Sequence, residues 1–422
     1  MATATTRPLA SDAPRHAFDF THPAFRRDPY PTYRRLRESA PLHCLEGGPR
    51  RFWVLTRHAD VMAVLRDPQM SVERDRRFAP APLAPGTDPE TLHPLQRAMR
   101  VFTRVMLFRD PPDHTRLRGL VGRAFTPRMV EALRPRIAEL VESLLAPLAD
   151  GAELDVVAEL AEPLPILVIA ELLGLPASDR KDLKRWSDDL AALLDGSIAL
   201  QHLGKAAQSA VEVLDYLRAH LAERRRAPRE DLISAMLAAR DRDQNLDEEE
   251  ILATTLLVMG AGHETTTNLI GNATLALLRH PDQLARLRAE PGLVPGAVEE
   301  FLRFDSPVQA TSRVARTPVE MHGRTIPPGE EIGLLIGAAN RDPDAFPDPD
   351  RLDVGRRDVR HLSFGYGIHY CLGANLARLE AELAIGGLLA HAPRLELACD
   401  EGALEWRPGW LLRGLARLPV RR

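Results

Sequence analysis

The stretch LDEEEILATTLLVMGAGHETTTNLIGNATLALLRHP, residues 246–281, constrains the fold more than any other part of the chain. Asp247 with Glu250 three residues on makes a capping box, and His280-Pro281 supplies a stop, so the segment reads as one uninterrupted helix. At 1.5 Å per residue that helix is roughly 50 Å long, enough to cross a whole domain. Ile251 to Met259 is apolar on nearly every face except at Thr254 and Thr255, so the helix must run through the interior. The rest of the chain then forms a shell around it. Midway lies Ala261-Gly262-His263-Glu264-Thr265-Thr266. A helix buried on all sides rarely tolerates an acid, because desolvating a carboxylate is costly without a partner. Gly262 costs about 1 kcal/mol of helix propensity relative to Ala, and it lets a bulky group lie against the backbone. Thr265 can return its hydroxyl to the Ala261 carbonyl. The bland alternative is a Thr-rich turn whose acid faces a crevice.

The shell is mostly helix. FTPRMVEALRPRIAELVESLLAPLADG has helical spacing, and further helical stretches lie near 157–173, 179–194, 204–226 and 229–240. Strand-like pieces stand apart: RFWVLT near the start, VQATSRVA and VEMHGRTIPPGEEIGLLI after residue 307, and LELACDEGALEWRP near the end. Strands from both ends with helices between them predict an α+β, mostly α, fold. One domain over 1–422 is expected, with β-rich parts at roughly 41–56, 307–337 and 394–422. Segments 68–105 and 338–362, rich in Pro with Asp or Arg, read as long irregular loops of functional kind.

Hydrophobic content of 45% and charged content of 27% suit a soluble chain with a large core, and the net charge of −4 argues against nucleic-acid binding. Three lysines (Lys181, Lys184, Lys205) stand against 52 arginines, a skew that looks like GC-rich coding and not like a binding surface. The apolar run ILATTLLVMGAG is too short for a membrane span. MATATTRPLASDAPRH has no apolar core of a signal peptide. A cytoplasmic protein, and a monomer, is expected.

Cysteines are few: Cys44, Cys371 and Cys399, which form neither a disulfide framework nor zinc ligand pairs. Cys371 sits in SFGYGIHYCLG, residues 363–373, where Gly365 and Gly367 permit a backbone path closed to residues with a Cβ. A helical pattern follows in Leu372, Leu376, Leu379 and Leu383. Cys371 thus opens a helix, where the dipole and unpaired amides favour a thiolate over a thiol. Taken alone it could equally be a small buried hydrophobe after a turn. Glu300 and Arg303 share one helix face, as do His114 and Arg118, which follow a Pro-Pro helix start.

The order of these pieces along the chain resembles the cytochrome P-450 family, in its soluble bacterial haem–thiolate monooxygenase form. The haem-binding pattern F-G-x-G-x-H-x-C-x-G is met by Phe364, Gly365, Gly367, His369, Cys371 and Gly373. Ala261 to Thr266 meets the long-helix pattern, and Glu300 with Arg303 meets Glu-x-x-Arg. Phe346, Pro349 and Arg356 meet the loop pattern F-x-x-P-x-x-F-x-x-x-R, with Leu352 in place of its second aromatic.

The resemblance implies haem b, held without covalent attachment of the porphyrin, with Cys371 as the axial thiolate and sole protein ligand of the iron. It implies that His114, Arg118, Arg313 and His369 serve the haem propionates, that Ala261 and Gly262 lie against the ring, and that Phe364, Gly365 and Gly373 shape the thiolate side. Glu264 and Thr265 would deliver protons in catalysis, while Glu300, Arg303 and Arg356 would form a structural ion-pair network. The substrate, a hydrophobic small molecule, would meet Val308, Ala310, Leu411 and Leu412, along with the 68–105 segment and the helices near 165–200. The implied activity inserts one atom of O2 into that substrate, by C–H hydroxylation or epoxidation. Electrons would come from a ferredoxin and its NAD(P)H-dependent ferredoxin reductase, docking near Arg116, Arg123 and Arg378. Alternatives are a peroxide-driven or non-oxygenating haem–thiolate enzyme and, more distantly, a non-catalytic haem-binding partner of a biosynthetic assembly. A cysteine-dependent hydrolase using His369 and Cys371 lacks a recognisable oxyanion hole.

Overall fold

The computed structural model describes residues 20, 22–46, 51–73, 91–149, 153–195, 200–243 and 247–422. Its axis is the helix Glu248–Arg279, capped by Asp247. The Asp247 carboxylate accepts from the Glu250 amide at 2.7 Å, and the Glu250 carboxylate accepts from the Asp247 amide at 3.1 Å. His280 ends the helix and Pro281 begins the next, Pro281–Ala289. Residues 251–256 and 266–277 of the axis are buried, apart from a few partial exposures in the stretch between them. Around it pack Pro163–Leu173, Arg180–Asp195, Leu200–Arg226, Val294–Phe304 and Ala374–His391. Their leucines, valines and isoleucines form one continuous core with the axis.

The strands lie to one side. β1 (Leu42–Leu45), β2 (Phe52–Leu55), β3 (Met70–Ser71), β5 (Thr311–Ala315) and β8 (Glu331–Leu334) form a five-stranded sheet in the order β1-β2-β8-β5-β3. β2 and β8 run parallel, with Trp53 opposite Ile332, and the other pairs are antiparallel. β6 (Val319–Met321) and β7 (Arg324–Ile326) form a hairpin. β4 (Leu154–Asp155), β9 (Glu396–Leu397) and β10 (Pro419–Arg421) form a third sheet with β10 in the middle. The expected mixture holds: a mostly helical α+β fold whose sheets join strands from both ends of the chain.

One expectation changes. Segment 68–105 is not wholly irregular: it carries β3 and the helix Pro94–Phe102, with Pro at the first turn and the His93 ring accepting from the Leu95 amide at 3.3 Å. Residues 74–90 of that segment lie outside the described residues. β3 and β4 are two residues each, too short to leave an alternating pattern. Segment 338–362, by contrast, contains no strand, and its only helix is the end of Ile336–Ala339.

Among the described residues no helix is long and apolar enough to cross a membrane.

Candidate functional site

Gly365 and Gly367 adopt φ of +69° and +73°, the left-handed region that favours glycine. At Gly367 a Cβ would also lie 2.8 Å from the Leu65 carbonyl oxygen. The loop closes on itself through Gly365 N–H to Leu362 O (2.8 Å), Tyr370 N–H to Gly367 O (3.1 Å) and Cys371 N–H to Phe364 O (2.9 Å). The helix begins at Ala374 with Gly373 as its N-cap, two residues later than the leucine pattern suggested. Its start does not by itself make Cys371 a thiolate. Burial pushes the thiol up, and the Gly373 amide with the charges of Arg118 and Arg378 offsets only part of that.

The loop is braced from behind. Glu300 and Arg303, both fully buried, pair through Arg303 Nε (2.7 Å) and Nη2 (2.8 Å). Arg356 and the Asp353 amide also donate to Glu300, at 3.2 and 3.0 Å. Arg303 reaches on to the carbonyls of Asn340 (3.0 Å), Pro349 (2.8 Å) and Arg351 (3.3 Å). The Asn340 side chain donates to Ser363 Oγ at 2.8 Å and accepts from Leu362 N–H at 2.8 Å. An unbroken chain of hydrogen bonds thus runs from the Glu300 carboxylate to the residue preceding Phe364. Phe364 lies under the Arg378 guanidinium, 4.5 Å from ring centre, and Arg378 is held by Glu299 at 2.6 Å.

Near Cys371 lies a group of donors with few acceptors among the described residues. Helix Asp113–Ala124 presents His114 and Arg118, β5 presents Arg313, and the Cys loop presents His369. The rings of His114 and His369 stand 4.1 Å apart. His114 is 2% exposed, yet neither of its ring nitrogens has a partner, nor does Nε2 of His369. Arg118 makes no hydrogen bond or ion pair among the described residues, and Arg313 reaches only Thr311 Oγ1 (3.5 Å) and the Ser312 carbonyl (2.8 Å). Burial, with the nearby His114 and Arg313, pushes His369 down to about 3, and burial pushes Arg313 down to about 10. The nearest acid, Asp110, is already bonded to Ser71 and Arg316. A buried and a half-buried guanidinium with two imidazoles, and no free acid beside them among the described residues, are suited to carboxylates supplied from outside the chain. Haem b carries two carboxylates and an iron that takes thiolate, so these residues fit it.

The partly open stretch of the axis includes Leu257, Val258, Gly260, Ala261, Gly262, Glu264 and Thr265. Thr265 Oγ1 donates to the Ala261 carbonyl at 2.9 Å. A Cβ at Gly262 would meet Ile169 Cδ1 at 2.8 Å, so the end of that side chain on helix Pro163–Leu173 would have to shift to admit one. Beside Ala261 lies a small apolar cleft lined by Phe102, Val105, Leu107, Phe108, Leu190, Leu256, Leu257, Gly260 and Ala261. Val308, Ala310, Leu411 and Leu412 do not line it. Ala310 and Leu411 pack with Phe25, Tyr33 and Trp410, and Leu412 bridges Val308 and borders a separate cleft beside Trp406. The Phe102 wall comes from the helix hidden in segment 68–105, whose Leu95, Ala98 and Val101 at three-residue spacing were its signal.

Sequence reasoning also gave His263 no part. It is buried, its Nδ1 lies 3.1 Å from Ser187 Oγ, and burial together with Lys184 and Arg407 pushes it down to about 3. This neutral imidazole ties helix Arg180–Asp195 to the axis. Two of the expected docking arginines are engaged within the chain: Arg116 forks onto Glu250, and Arg378 holds Glu299. The side chain of Arg123 lies outside the described residues.

Comparison with known proteins agrees with this geometry. The chain is 44% identical to cytochrome P450 107B1 of Saccharopolyspora erythraea over 94% of this chain and 96% of that protein. It is 46% identical to a vitamin D(3) 25-hydroxylase of Pseudonocardia autotrophica, covering 94% of each. The solved structure of P450BioI in complex with hexadec-9Z-enoic acid ligated acyl carrier protein superposes with a TM-score of 0.86 at 39% identity, over 94% of this chain and 99% of that one. The family model for cytochrome P450 matches residues 21–392. A cluster of donors beside a half-buried cysteine, an acid–alcohol pair on the axial helix and likeness over 94% of the chain converge: this chain is a monooxygenase of the cytochrome P450 family.

Proposed function

We propose that the protein binds haem b through Cys371 and inserts one atom of O2 into a C–H or C=C bond of an apolar small molecule, with electrons from a ferredoxin and its reductase. The observation that carries this is the donor set beside the Cys371 loop: His114, whose two ring nitrogens have no partner, Nε2 of His369, which has none either, Arg118, and Arg313, which reaches only its own strand. When bound, the haem supplies the redox chemistry that no side chain can. The residues do the rest. Arg118, Arg313, His114 and His369 would hold the propionates through charge and hydrogen bonds. The Glu300 network fixes the Cys371 loop, while Phe364 screens its sulfur from water. The hydrocarbon walls above Ala261 take up substrate and exclude water. Thr265 holds a proton at Oγ1, which it can release from the Ala261 carbonyl, and Glu264 beside it exchanges protons with solvent. Successive helical residues diverge by about 100°, so the two act in relay and not on one point.

The relatives' names span a vitamin D(3) hydroxylase and a protein solved with an acyl carrier protein, so the family likeness supports the reaction and leaves substrate choice to the cleft. Titrating the haem-free protein with haemin tests the reading. Binding should saturate at one haem per chain, and Arg118→Ala with Arg313→Ala should weaken it by at least about tenfold, since each removes charge-assisted bonds. Non-saturating uptake, or unchanged affinity in the double variant, would refute it.

A further inference from the structure

Glu299 and Glu300 are neighbours on helix Val294–Phe304 and face different ways. Glu300 serves the buried brace of Arg303 and Arg356, whereas Glu299 turns to the helix that follows the Cys371 loop. There Arg378 grips it twice, Nε to Oε1 at 2.6 Å and Nη2 to Oε2 at 3.0 Å. A third donor is His361, whose Nε2 lies 3.2 Å from Glu299 Oε2. His361 Nδ1 accepts from the Ser363 amide at 3.1 Å, which leaves the ring proton on Nε2, aimed at the carboxylate. A carboxylate held by three donors on two sides is fixed in place, and so is the guanidinium it holds.

That guanidinium stands against the cysteine loop. It lies 4.5 Å from the centre of the Phe364 ring, and its Nη1 donates to the Tyr370 hydroxyl at 3.2 Å. The Phe364 carbonyl accepts from the Cys371 amide at 2.9 Å, and Tyr370 immediately precedes Cys371 in the chain. The cation is thus pinned to both residues that frame the cysteine. Reducing a thiolate-bound haem adds one electron and one negative charge, with no bond made or broken. A fixed cation beside the loop favours that step, and a fixed anion opposes it. Side chains 30% and 27% exposed leave each charge only partly screened, so what limits the influence of Arg378 is Glu299.

We propose that Glu299 is a positioning residue that holds down the reduction potential of the haem–thiolate centre, by fixing Arg378 over Phe364 and cancelling its charge. The inference rests on the proposed haem–thiolate reading and adds a control on its one-electron step.

The test is a spectroelectrochemical titration of the haem-loaded protein, with dithionite as reductant and mediator dyes, at one pH and ionic strength. Glu299→Gln keeps the shape and leaves Arg378 uncompensated, so it should favour the reduced form by at least about threefold relative to wild type. Arg378→Gln leaves Glu299 uncompensated and should disfavour the reduced form by a similar factor. The double variant removes both charges and should return to within about twofold of wild type. Opposite shifts that cancel are the mark of charge. A purely mechanical brace would lower Tm in all three variants without reversing the sign of any potential shift. Unchanged potentials, or shifts of one sign in both single variants, would overturn the inference while sparing the haem reading. Should Glu299→Gln take up no haem, the other two variants decide: a lowered potential in Arg378→Gln that the double variant restores supports the inference, and any other pattern overturns it. A wild type without the thiolate-type carbon monoxide band would defeat the haem–thiolate reading and the inference together.

Discussion

Glu300→Ala should loosen the Cys371 loop from a distance. Glu300 and Arg303 are both fully buried, and Glu300 accepts from Arg303, Arg356 and the Asp353 amide. Removing the carboxylate strands the Arg303 guanidinium in the core with two of its five bonds gone. Breaking one partner of a buried pair typically costs about 3–5 kcal/mol. For a chain of this size that corresponds to a fall of at least about 4 °C in Tm. Because Arg303 and Asn340 carry the connection to Leu362 and Ser363, the haem should also dissociate faster, which transfer to a haem-accepting apoprotein would measure. Adding Arg303→Met removes the stranded charge and should recover part of the lost Tm. Recovery should be incomplete, since the carbonyls of Asn340, Pro349 and Arg351 then lose a donor. A Glu300→Ala protein with wild-type Tm and haem-release rate would refute this account, and so would a double variant less stable than Glu300→Ala alone.

Thr265→Ala should leave haem binding intact while product formed per NAD(P)H falls at least about tenfold and peroxide rises, because the axial helix loses its positioned proton donor; a wild-type ratio of product to NAD(P)H would make the residue structural. Glu380 is 2% exposed, its Oε2 has no partner, and burial pushes it up to about 8. The folded chain keeps this proton up to about pH 8 while the unfolded chain releases it near 4.5, so rising pH within that window favours unfolding. Glu380→Gln should therefore raise Tm relative to wild type at pH 8 and not at pH 4.5, and a difference independent of pH would refute the assignment.

Much of this could be read from the chain because the informative elements are local. The capping box Asp247/Glu250, the stop at His280-Pro281 and the glycines at 365 and 367 each act over a few residues, and the structure shows them as the spacing predicted. The ordering of motifs identified the family, and the donors His114, Arg118, Arg313 and His369 do meet, although they come from helix, strand and loop nearly 260 residues apart. What escaped depended on packing between distant segments. The state of the Cys371 thiol turns on its burial, which outweighs the helix start. The cleft walls turn on how helix Pro94–Phe102 and Leu190 lie over the axis, and a two-residue strand such as β4 exists only because β10 pairs with it. Likewise, Arg116 and Arg378 read as surface charges until Glu250 and Glu299 are found beside them.

The central claim is that Cys371 is the iron ligand and that Cys44 and Cys399 are not. The direct measurement is the absorption spectrum of the reduced, carbon monoxide-bound protein for Cys371→Ser, Cys44→Ser and Cys399→Ser. The account predicts the strongly red-shifted Soret band of a thiolate-ligated haem in the wild type and in the Cys44 and Cys399 variants, and its loss in Cys371→Ser. Survival of that band in Cys371→Ser, or its loss in either of the other two, would contradict the account.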